Sequence, residues 1–561
     1  MGGVLNGSQM LIEALHLEGV EIIFGYPGGA VLNIYDELYK QSYFRHILTR
    51  HEQAAIHAAD GYARASGKVG VALITSGPGF TNAVTGIATA YMDSIPLVVI
   101  SGQVPVAQIG TDAFQEIDAV GISRPCTKHN FLVKDIKDLP RIIKEAFYIA
   151  RSGRCGPVLI DIPKDISANM GEFIYPSEVN LRTYKPTYKP NQRQIKKLIE
   201  AIKSSKKPLG YIGGGVVASN ASRLVRDFVH KIGLPSVETL MARGVLAAGD
   251  TYNLGMVGMH GTYAANMAMC ECDLLLCFGA RFDDRVTGKV SEFAKNAKIA
   301  HIDIDPSSIG KIIEVDYPIV GDMSAVCEEL LDMATQIDSS EFCQWREHLN
   351  GYQNLHPLSY QDSIDSIKPQ WVIERLGELL DGGAIISTDV GQHQMWAAQF
   401  YPFSEPREFL TSGGLGTMGF GFPAAMGAYF ANMDKHIINI TGDGSILMNI
   451  QELITCVESK IPVVNVILNN NYLGMVRQWQ TFFYENRFSH TDLSLQPNFV
   501  ALAESFGGLG FRIERKEDFI PTMQKALASK QVCLIDVVVD RYESVLPMVP
   551  GGAPLDKMIL K

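Results

Sequence analysis

What this chain has little of sets its bounds. Cysteine is sparse: nine residues in 561, scattered singly except for Cys270, Cys272 and Cys277. That cluster lacks the paired spacing of a zinc site, and the apolar run around Cys277 reads as a buried strand, so no metal is expected there. No run of 18 or more uncharged apolar residues appears, which argues against a membrane-spanning helix. Charged residues make up only 19% of the chain, and the formal net charge of −11 is spread along it. With no basic stripe, neither nucleic acid nor an anionic membrane is an expected partner. The opening MGGVLNGSQMLIEALHLEG runs straight into an amphipathic helix pattern without a signal or transit segment, and Asn6 stands where a myristoylation motif wants Ser or Thr. A cytoplasmic protein that works on small molecules or other subunits is the expectation.

What is present points to an α/β enzyme. Hydrophobic residues reach 47%, and the length exceeds a single core, calling for three or four domains. Glu172 to Gln194, with Pro176, Pro186 and Pro190, reads as one linker, and Gln336 to Pro369 as another. The predicted domains are 1–175, 190–340 and 368–561, each a doubly wound parallel sheet.

The most informative stretch is TGDGSILMNIQELITCVESKIPVVNVILNNNY, from Thr441 to Tyr472. Gly-Asp-Gly and Asn469-Asn470 bracket 24 residues. A buried strand HIINITGDG leads into a tight turn, a helical pattern Ile446, Ile450, Leu453, Ile454, Val457 follows, and a second apolar strand VVNVILN ends at the asparagines. Both turns then fall at the carboxyl ends of parallel strands, where open α/β sheets bind ligands. Asp443 offers a carboxylate and Asn470 a neutral oxygen, while Gly442 and Gly444 let a phosphate approach the backbone, as Mg²⁺ shared with a diphosphate requires.

The element has an echo. VALITSGPGFTNAVTGIATAYMDSIPLVVISG repeats its order of strand, glycine turn, helix, Ile-Pro and strand. Thr75 to Pro96 and Thr441 to Pro462 are both 21 apart, at a constant offset of 366. The first and last domains are therefore expected to share one topology by duplication. Only the last carries the aspartate. Glu52, in RHEQAA, stands at a strand-to-helix junction of the first domain, where a carboxylate is either buried for chemistry or simply stabilised by the helix dipole.

Glu52 in RHEQAA, Thr75-Ser76-Gly77-Pro78-Gly79, and the Gly-Asp-Gly to Asn-Asn element together resemble the thiamine-diphosphate-dependent decarboxylase and carboligase superfamily. Within it the chain is similar to the acetohydroxyacid (acetolactate) synthases. The similar stretches are GYPGGAVLNIYD from Gly25, GTDAFQE from Gly110, CTKHNFLVKD from Cys126, SGRCGPVLIDIPKD from Ser152, LGMVGMHG from Leu254, GARFDDRVTG from Gly279, GQHQMWAAQ from Gly391, TSGGLGTMGFG from Thr411 and LGMVRQWQ from Leu473. The resemblance implies pyruvate decarboxylation, then ligation to a second pyruvate or to 2-oxobutanoate, in branched-chain amino acid synthesis. It implies a homodimer or homotetramer with sites at the subunit interface, and a separate small regulatory subunit. Related alternatives are pyruvate oxidases, simple decarboxylases and flavin-free acetolactate synthases, which RFDDRVTG and MVRQWQ disfavour. Glyoxylate carboligases lack the glutamate that Glu52 supplies. A non-enzymatic scaffold that kept the fold is a more distant reading.

The same resemblance implies residue roles. Glu52 would act on the cofactor's pyrimidine in a pocket lined by Tyr26, Pro27, Gly28, Pro78 and Asn82, with Gln115 and Phe114 near the reacting centre. Met418, beside Gly416, would hold the cofactor bent. Val390, Gly391, Gln392, His393, Gly442, Asp443, Gly444, Ser445, Asn470, Tyr472, Leu473, Gly474 and Met475 would hold the diphosphate end, with Mg²⁺ on Asp443, Asn470 and the Tyr472 carbonyl. Lys164, Met259, Arg281, Met475 and Trp479 would line the substrate channel. A guanidinium suits a second substrate carrying a carboxylate, and an aromatic wall favours one extra methylene by about 1–3 kcal/mol. Read without the resemblance, Arg281 pairs with Asp283 or Asp284 and Trp479 is helix core.

The middle domain is implied to be Rossmann-like and to bind a largely structural FAD. The matching positions are Arg154, Gly213, Gly214, Gly215, Thr239, Leu240, Met241, His260, Gly279, Arg281, Asp283, Arg285, Val286, Asp303, Ile304, Asp322, Gln394 and Met395. Gly213 to Gly215 alone are not the spaced dinucleotide fingerprint. Departures are few: Cys155 replaces the usual proline after SGR, HIDID differs from plant and fungal relatives, and the long eukaryotic transit segment is absent.

Overall fold

The computed structural model describes residues 3–560. Three six-stranded sheets account for most of the strands. The first has the spatial order Arg45–Leu48, Ile22–Gly25, Gly70–Ile74, Leu97–Gln103, Pro157–Pro163, His129–Leu132, with every neighbouring pair parallel. The third has the order Phe409–Leu410, Ala384–Thr388, His436–Gly442, Val463–Asn469, Cys533–Val538, Leu509–Ile513, parallel from Ala384–Thr388 onward. Numbered along the chain, both sheets read 2-1-3-4-6-5. The duplication expected from the 366-residue offset is present as a shared topology.

The middle sheet differs. Its order is Asn253–Met256, Ser236–Glu238, Pro208–Ile212, Leu274–Phe278, Lys298–Asp303, Tyr317–Val320, all parallel. That is 3-2-1-4-5-6, the dinucleotide-binding order. Central strands such as Leu274–Phe278 are buried along their whole length, as helices on both faces require. Cys277 on that strand and Cys272 just before it are fully buried free thiols.

The chain forms two compact units. One comprises the described residues of 1–184 with 384–391 and 410–538 and holds the two like sheets; the other comprises 185–383, 392–409 and the described residues of 539–561. Within the first unit the helices Glu52–Ser66 and Gly421–Ala431 lie against each other along a stripe of small residues. A Cβ on Gly61 would stand 2.0 Å from Ala424 O, and one on Gly427 would stand 1.8 Å from Ala58 O. One core is continuous across this contact, joining Phe24, Ile56 and Phe80 to Phe422, Met426 and Ile437.

Among the described residues no helix is long and apolar enough to cross a membrane.

Candidate functional site

The Gly-Asp-Gly turn closes the strand His436–Gly442, buried beyond His436. Gly442 pairs with Leu468 across the ladder, so Asp443 and Asn469 leave adjacent parallel strands in step. Asp443 is buried, and burial pushes its carboxyl up to about 7 against the backbone N–H groups of Asp443 and Gly444 and the side chain of Gln496, which favour the charged form. A Cβ on Gly444 would stand 2.9 Å from Leu473 Cδ2, so the turn closes tightly on the loop after the asparagines. There Asn471 takes a left-handed φ of 56°, and Asn470 Oδ1 accepts the Tyr472 N–H at 3.1 Å. Asn470 and Tyr472 are buried, and the helix Gly474–Phe483 begins at once, carrying Met475 and Trp479. Trp479 is half-buried with its ring against Phe483, 5.2 Å between centroids.

The helix expected from Ile446 to Val457 is divided. A 3₁₀ turn covers Ile446–Asn449 and the α-helix runs Glu452–Ser459. Asn449 directs its amide to Gly419 O at 2.7 Å, tying the turn to the loop that carries Gly416 and Met418. In that loop a Cβ on Gly416 would reach Val390 Cγ1 at 3.9 Å, and Ser445 Oγ donates to Val390 O at 3.5 Å. Val390, Gly391, Gly416, Met418, Gly442, Asp443, Gly444, Ser445, Asn470, Tyr472, Leu473, Gly474 and Met475 all belong to the first compact unit. Gln392 and His393, followed by Gln394 and Met395, open the helix Gln392–Phe400 in the second.

On the first sheet Glu52 is the first residue of the helix Glu52–Ser66, whose cap is His51 Nδ1 accepting the Gln53 N–H at 3.2 Å. Glu52 is 8% exposed and its Oε2 accepts from Asn82 Nδ2 at 3.0 Å. Its Oε1 stands 3.3 Å from where a Cβ on Gly79 would be. Gly28 lies against Thr75, where a Cβ would meet the side chain at 2.5 Å, which places Tyr26-Pro27-Gly28 beside the Thr75-to-Gly79 turn. Gln115, with a left-handed φ of 60°, packs on the same turn, 2.9 Å from Gln115 Cα to a Cβ on Gly77. The loop holding Gln115 is shaped by Glu116, whose carboxylate takes the N–H groups of Gly110 and, at 2.9 Å, Ala113. Phe114 on that loop is 88% exposed. Lys164 is exposed at the start of the helix Lys164–Ala168, and Arg154 donates to Ser94 Oγ at 2.9 Å.

In the second unit Gly213-Gly214-Gly215 follow the strand Pro208–Ile212 and face Gly279, which follows the neighbouring strand Leu274–Phe278. A Cβ on Gly213 would stand 2.4 Å from Gly279 O, and one on Gly215 would stand 2.9 Å from Gly279 Cα. These two strands are the point at which the 3-2-1-4-5-6 order reverses, where such sheets bind ligands. Thr239, Leu240 and Met241 follow the next strand, and a Cβ on Gly214 would reach Met241 Cβ at 3.1 Å. Arg281 pairs with Asp283 at 2.6 Å. Between them Phe282 holds a left-handed φ of 57°, costly for a bulky residue, while its ring is buried on Tyr211 and His301.

Asp283 also caps the short helix Asp284–Thr287, which contains Arg285 and Val286. Asp303 ends the next strand with Ile304 just after it, Asp322 caps the helix Met323–Met333, and Met259 is held by Arg285 O and Val549 N–H at 2.7 and 2.8 Å. His260 is buried, which lowers its proton affinity to about 4.

Three matches with known families cover most of this arrangement. Residues 5–122 match the N-terminal TPP binding domain of thiamine pyrophosphate enzymes, 195–330 their central domain, and 389–537 their C-terminal TPP binding domain. Along its full length the chain is 47% identical to the acetolactate synthase isozyme 3 large subunit of Escherichia coli, covering 99% of both chains. This chain belongs to the thiamine pyrophosphate enzymes, among the acetolactate synthase large subunits. Within that family it is also 48% identical to the Haemophilus influenzae acetolactate synthase large subunit, over 99% of this chain and 98% of that one. It is 49% identical to a Mycobacterium bovis acetolactate synthase, over 99% and 91%.

Family motifs do not reveal several residues that the structure ties to these turns. Glu452 and Gln496 bind the Arg50 backbone and the Asp443 side chain from elsewhere in the chain, while Glu116, inside GTDAFQE, holds the backbone of its own stretch. An acid beside Leu453 on an apolar helix was the one sequence signal for Glu452.

Proposed function

We propose that this chain is the catalytic chain of an acetolactate synthase. It decarboxylates pyruvate and joins the two-carbon unit to a second pyruvate, giving 2-acetolactate, or to 2-oxobutanoate, giving 2-aceto-2-hydroxybutanoate. The observation that carries the reading is near-half identity, from end to end, with named acetolactate synthases. Thiamine diphosphate, when bound, supplies the electron sink that decarboxylation of a 2-oxo acid requires.

The chain's residues fit the cofactors. Asp443, Asn470 and the Tyr472 carbonyl form a set of hard oxygen donors with one charge, suited to Mg²⁺ that is completed by a diphosphate and water. Glu52, buried and oriented by Asn82, would hold a proton at the pyrimidine N1′. FAD fits the glycine turn of the middle sheet at its switch point. Arg281, oriented by Asp283, would take the carboxylate of the second 2-oxo acid, with Trp479 beside the alkyl group and Lys164, Gln115, Phe114, Met259 and Met475 lining the approach. Residues 1–175, 190–340 and 368–561 would be the pyrimidine, FAD and diphosphate domains. Large apolar side chains near the cofactor turns are exposed, Phe114, Met448 and Val476 among them, which supports a second copy covering each site. A separate small regulatory subunit accords with the large-subunit names of the relatives.

Purified chain supplied with thiamine diphosphate, Mg²⁺ and FAD should convert pyruvate to acetolactate, and mixed pyruvate and 2-oxobutanoate to both products. Acetaldehyde or acetyl phosphate as the sole product overturns the reading, and oxygen consumption at each turnover marks an oxidase. Glu52→Gln should lower kcat by about 10²–10⁴-fold with the far-UV spectrum unchanged.

A further inference from the structure

Gln496, itself half-buried, lies on the largely exposed segment between the helices Gly474–Phe483 and Phe499–Ser505, outside every motif. That segment is clamped back onto the Asn-Asn turn. Leu473 N–H donates to Thr491 O and Leu493 N–H to Asn471 O, both at 2.9 Å. The clamp delivers Gln496 to the carboxyl ends of the two central strands, where its Nε2 donates to Asp443 Oδ2 and its Oε1 accepts from Asn469 Nδ2 at 2.9 Å. These two contacts fix which end of the amide is which: reversed, it would set oxygen against carboxylate and NH₂ against NH₂.

Asn469 is fixed in its turn. Its second N–H donates to Asp536 Oδ1 at 2.8 Å, and its Oδ1 accepts the Asn471 N–H at 3.2 Å. Asp536 is 1% exposed on the neighbouring strand and is paired with Arg512 at 2.5 Å. Gln496 is therefore the last link of a chain anchored in the sheet.

We propose that Gln496 is a positioning residue that holds the Asp443 carboxylate, through Oδ2, in the orientation from which it binds a divalent cation. The inference rests on the reading of Asp443 as a metal ligand. A cation that takes one oxygen of a buried carboxylate leaves the other in need of a donor, and without it that oxygen is desolvated and unmet. Partners of this kind orient ligating groups, and their loss costs about 10–100-fold in metal affinity.

The test uses the full chain, freed of cofactors and saturated with thiamine diphosphate, with free Mn²⁺ counted by electron paramagnetic resonance. Gln496→Leu keeps the volume and removes the amide; Gln496→Asn keeps the amide one methylene short of Asp443. Both should raise the Mn²⁺ dissociation constant about 10–100-fold, with an unchanged far-UV spectrum of the cofactor-free protein showing that the fold is kept. A constant for Gln496→Leu within about twofold of the parent, or tighter, overturns the proposal, as does parent-like binding by Gln496→Asn. Asp443→Ala separates the two claims. If it abolishes Mn²⁺ binding while Gln496→Leu does not weaken it, Asp443 stands as the ligand and only the role of Gln496 falls. If Asp443→Ala binds Mn²⁺ like the parent, the metal reading itself falls.

Discussion

At the scale of single residues, Glu452 shows how a buried acid couples the two like domains. Its carboxylate is fully buried, accepts the Arg50 N–H at 2.9 Å and the Thr455 hydroxyl at 2.8 Å, and so braces the segment that leads into Glu52. Burial pushes its carboxyl up to about 7 from an ordinary 4.5, against those hydrogen bonds and Arg50. Between these two values the folded chain holds a proton that the unfolded chain releases. The resulting stability is present in full below 4.5 and is lost as pH rises through about 7. Glu452→Gln cannot titrate, so its thermal midpoint should fall less steeply than that of the parent between about pH 5 and 8, read by scanning calorimetry across that range. Equal slopes would show that Glu452 does not titrate there. Glu52 and Asp443 were legible in the sequence because each sits at a strand-to-turn junction inside a spaced motif. Glu452 and Gln496 were not, because what they touch lies 402 and 53 residues away; the acid beside Leu453 marks a buried carboxylate without naming its partner.

Elements carried more of their fate in the sequence. The strands HIINITG and VVNVILN fold as their largely apolar sequences predict, buried on both faces, with Asn439 Nδ2 donating to Asn465 Oδ1 at 2.9 Å. The helix between them does not follow its period from Ile446, because Asn449 spends its amide on Gly419 O and leaves a 3₁₀ turn in place of the first α-turn. Helix contact is likewise set by neighbours. Glu52–Ser66 and Gly421–Ala431 approach until no Cβ fits at Gly61 or Gly427, although alanine is otherwise the better helix former. Gly427→Ala should therefore destabilise the first unit by about 1–3 kcal/mol as the helices are forced apart. Gly351→Ala, in the helix Cys343–Leu355 with nothing within 4 Å of its Cβ, should instead be neutral or stabilise by about 0.5–1 kcal/mol. Chemical denaturation followed by tryptophan fluorescence distinguishes the two, and equal effects would show that the close approach does not limit the first pair.

For the whole molecule, the constant offset of 366 residues marks two copies of one 2-1-3-4-6-5 sheet, and the copies carry different polar groups at their turns. The first has Glu52 bonded to Asn82, and the last has Asp443 at one turn and Asn470, bonded to the Tyr472 N–H, at the next. Within the chain the first copy meets the second through Arg50 on Glu452 and through the small-residue helix pair, while Asp443 binds Gln496 and Glu52 binds Asn82. If each site is completed by a second copy, as proposed, Glu52 of one protomer serves the diphosphate turn of its partner. Glu52→Gln and Asp443→Ala are then each inactive alone, yet complementary. A heterodimer of the two holds one site with both defects and one with neither. Random reassembly of an equal mixture makes half the dimers mixed, so activity should return to about a quarter of that of the parent. The mixture is prepared by dissociation and dilution back together, with acetolactate formation as the readout and mass analysis of the assembly as the control for exchange. Should exchange be complete and activity stay at the level of the separate variants, the two groups serve one site within one chain, and the duplicated sheets meet there through their own contact.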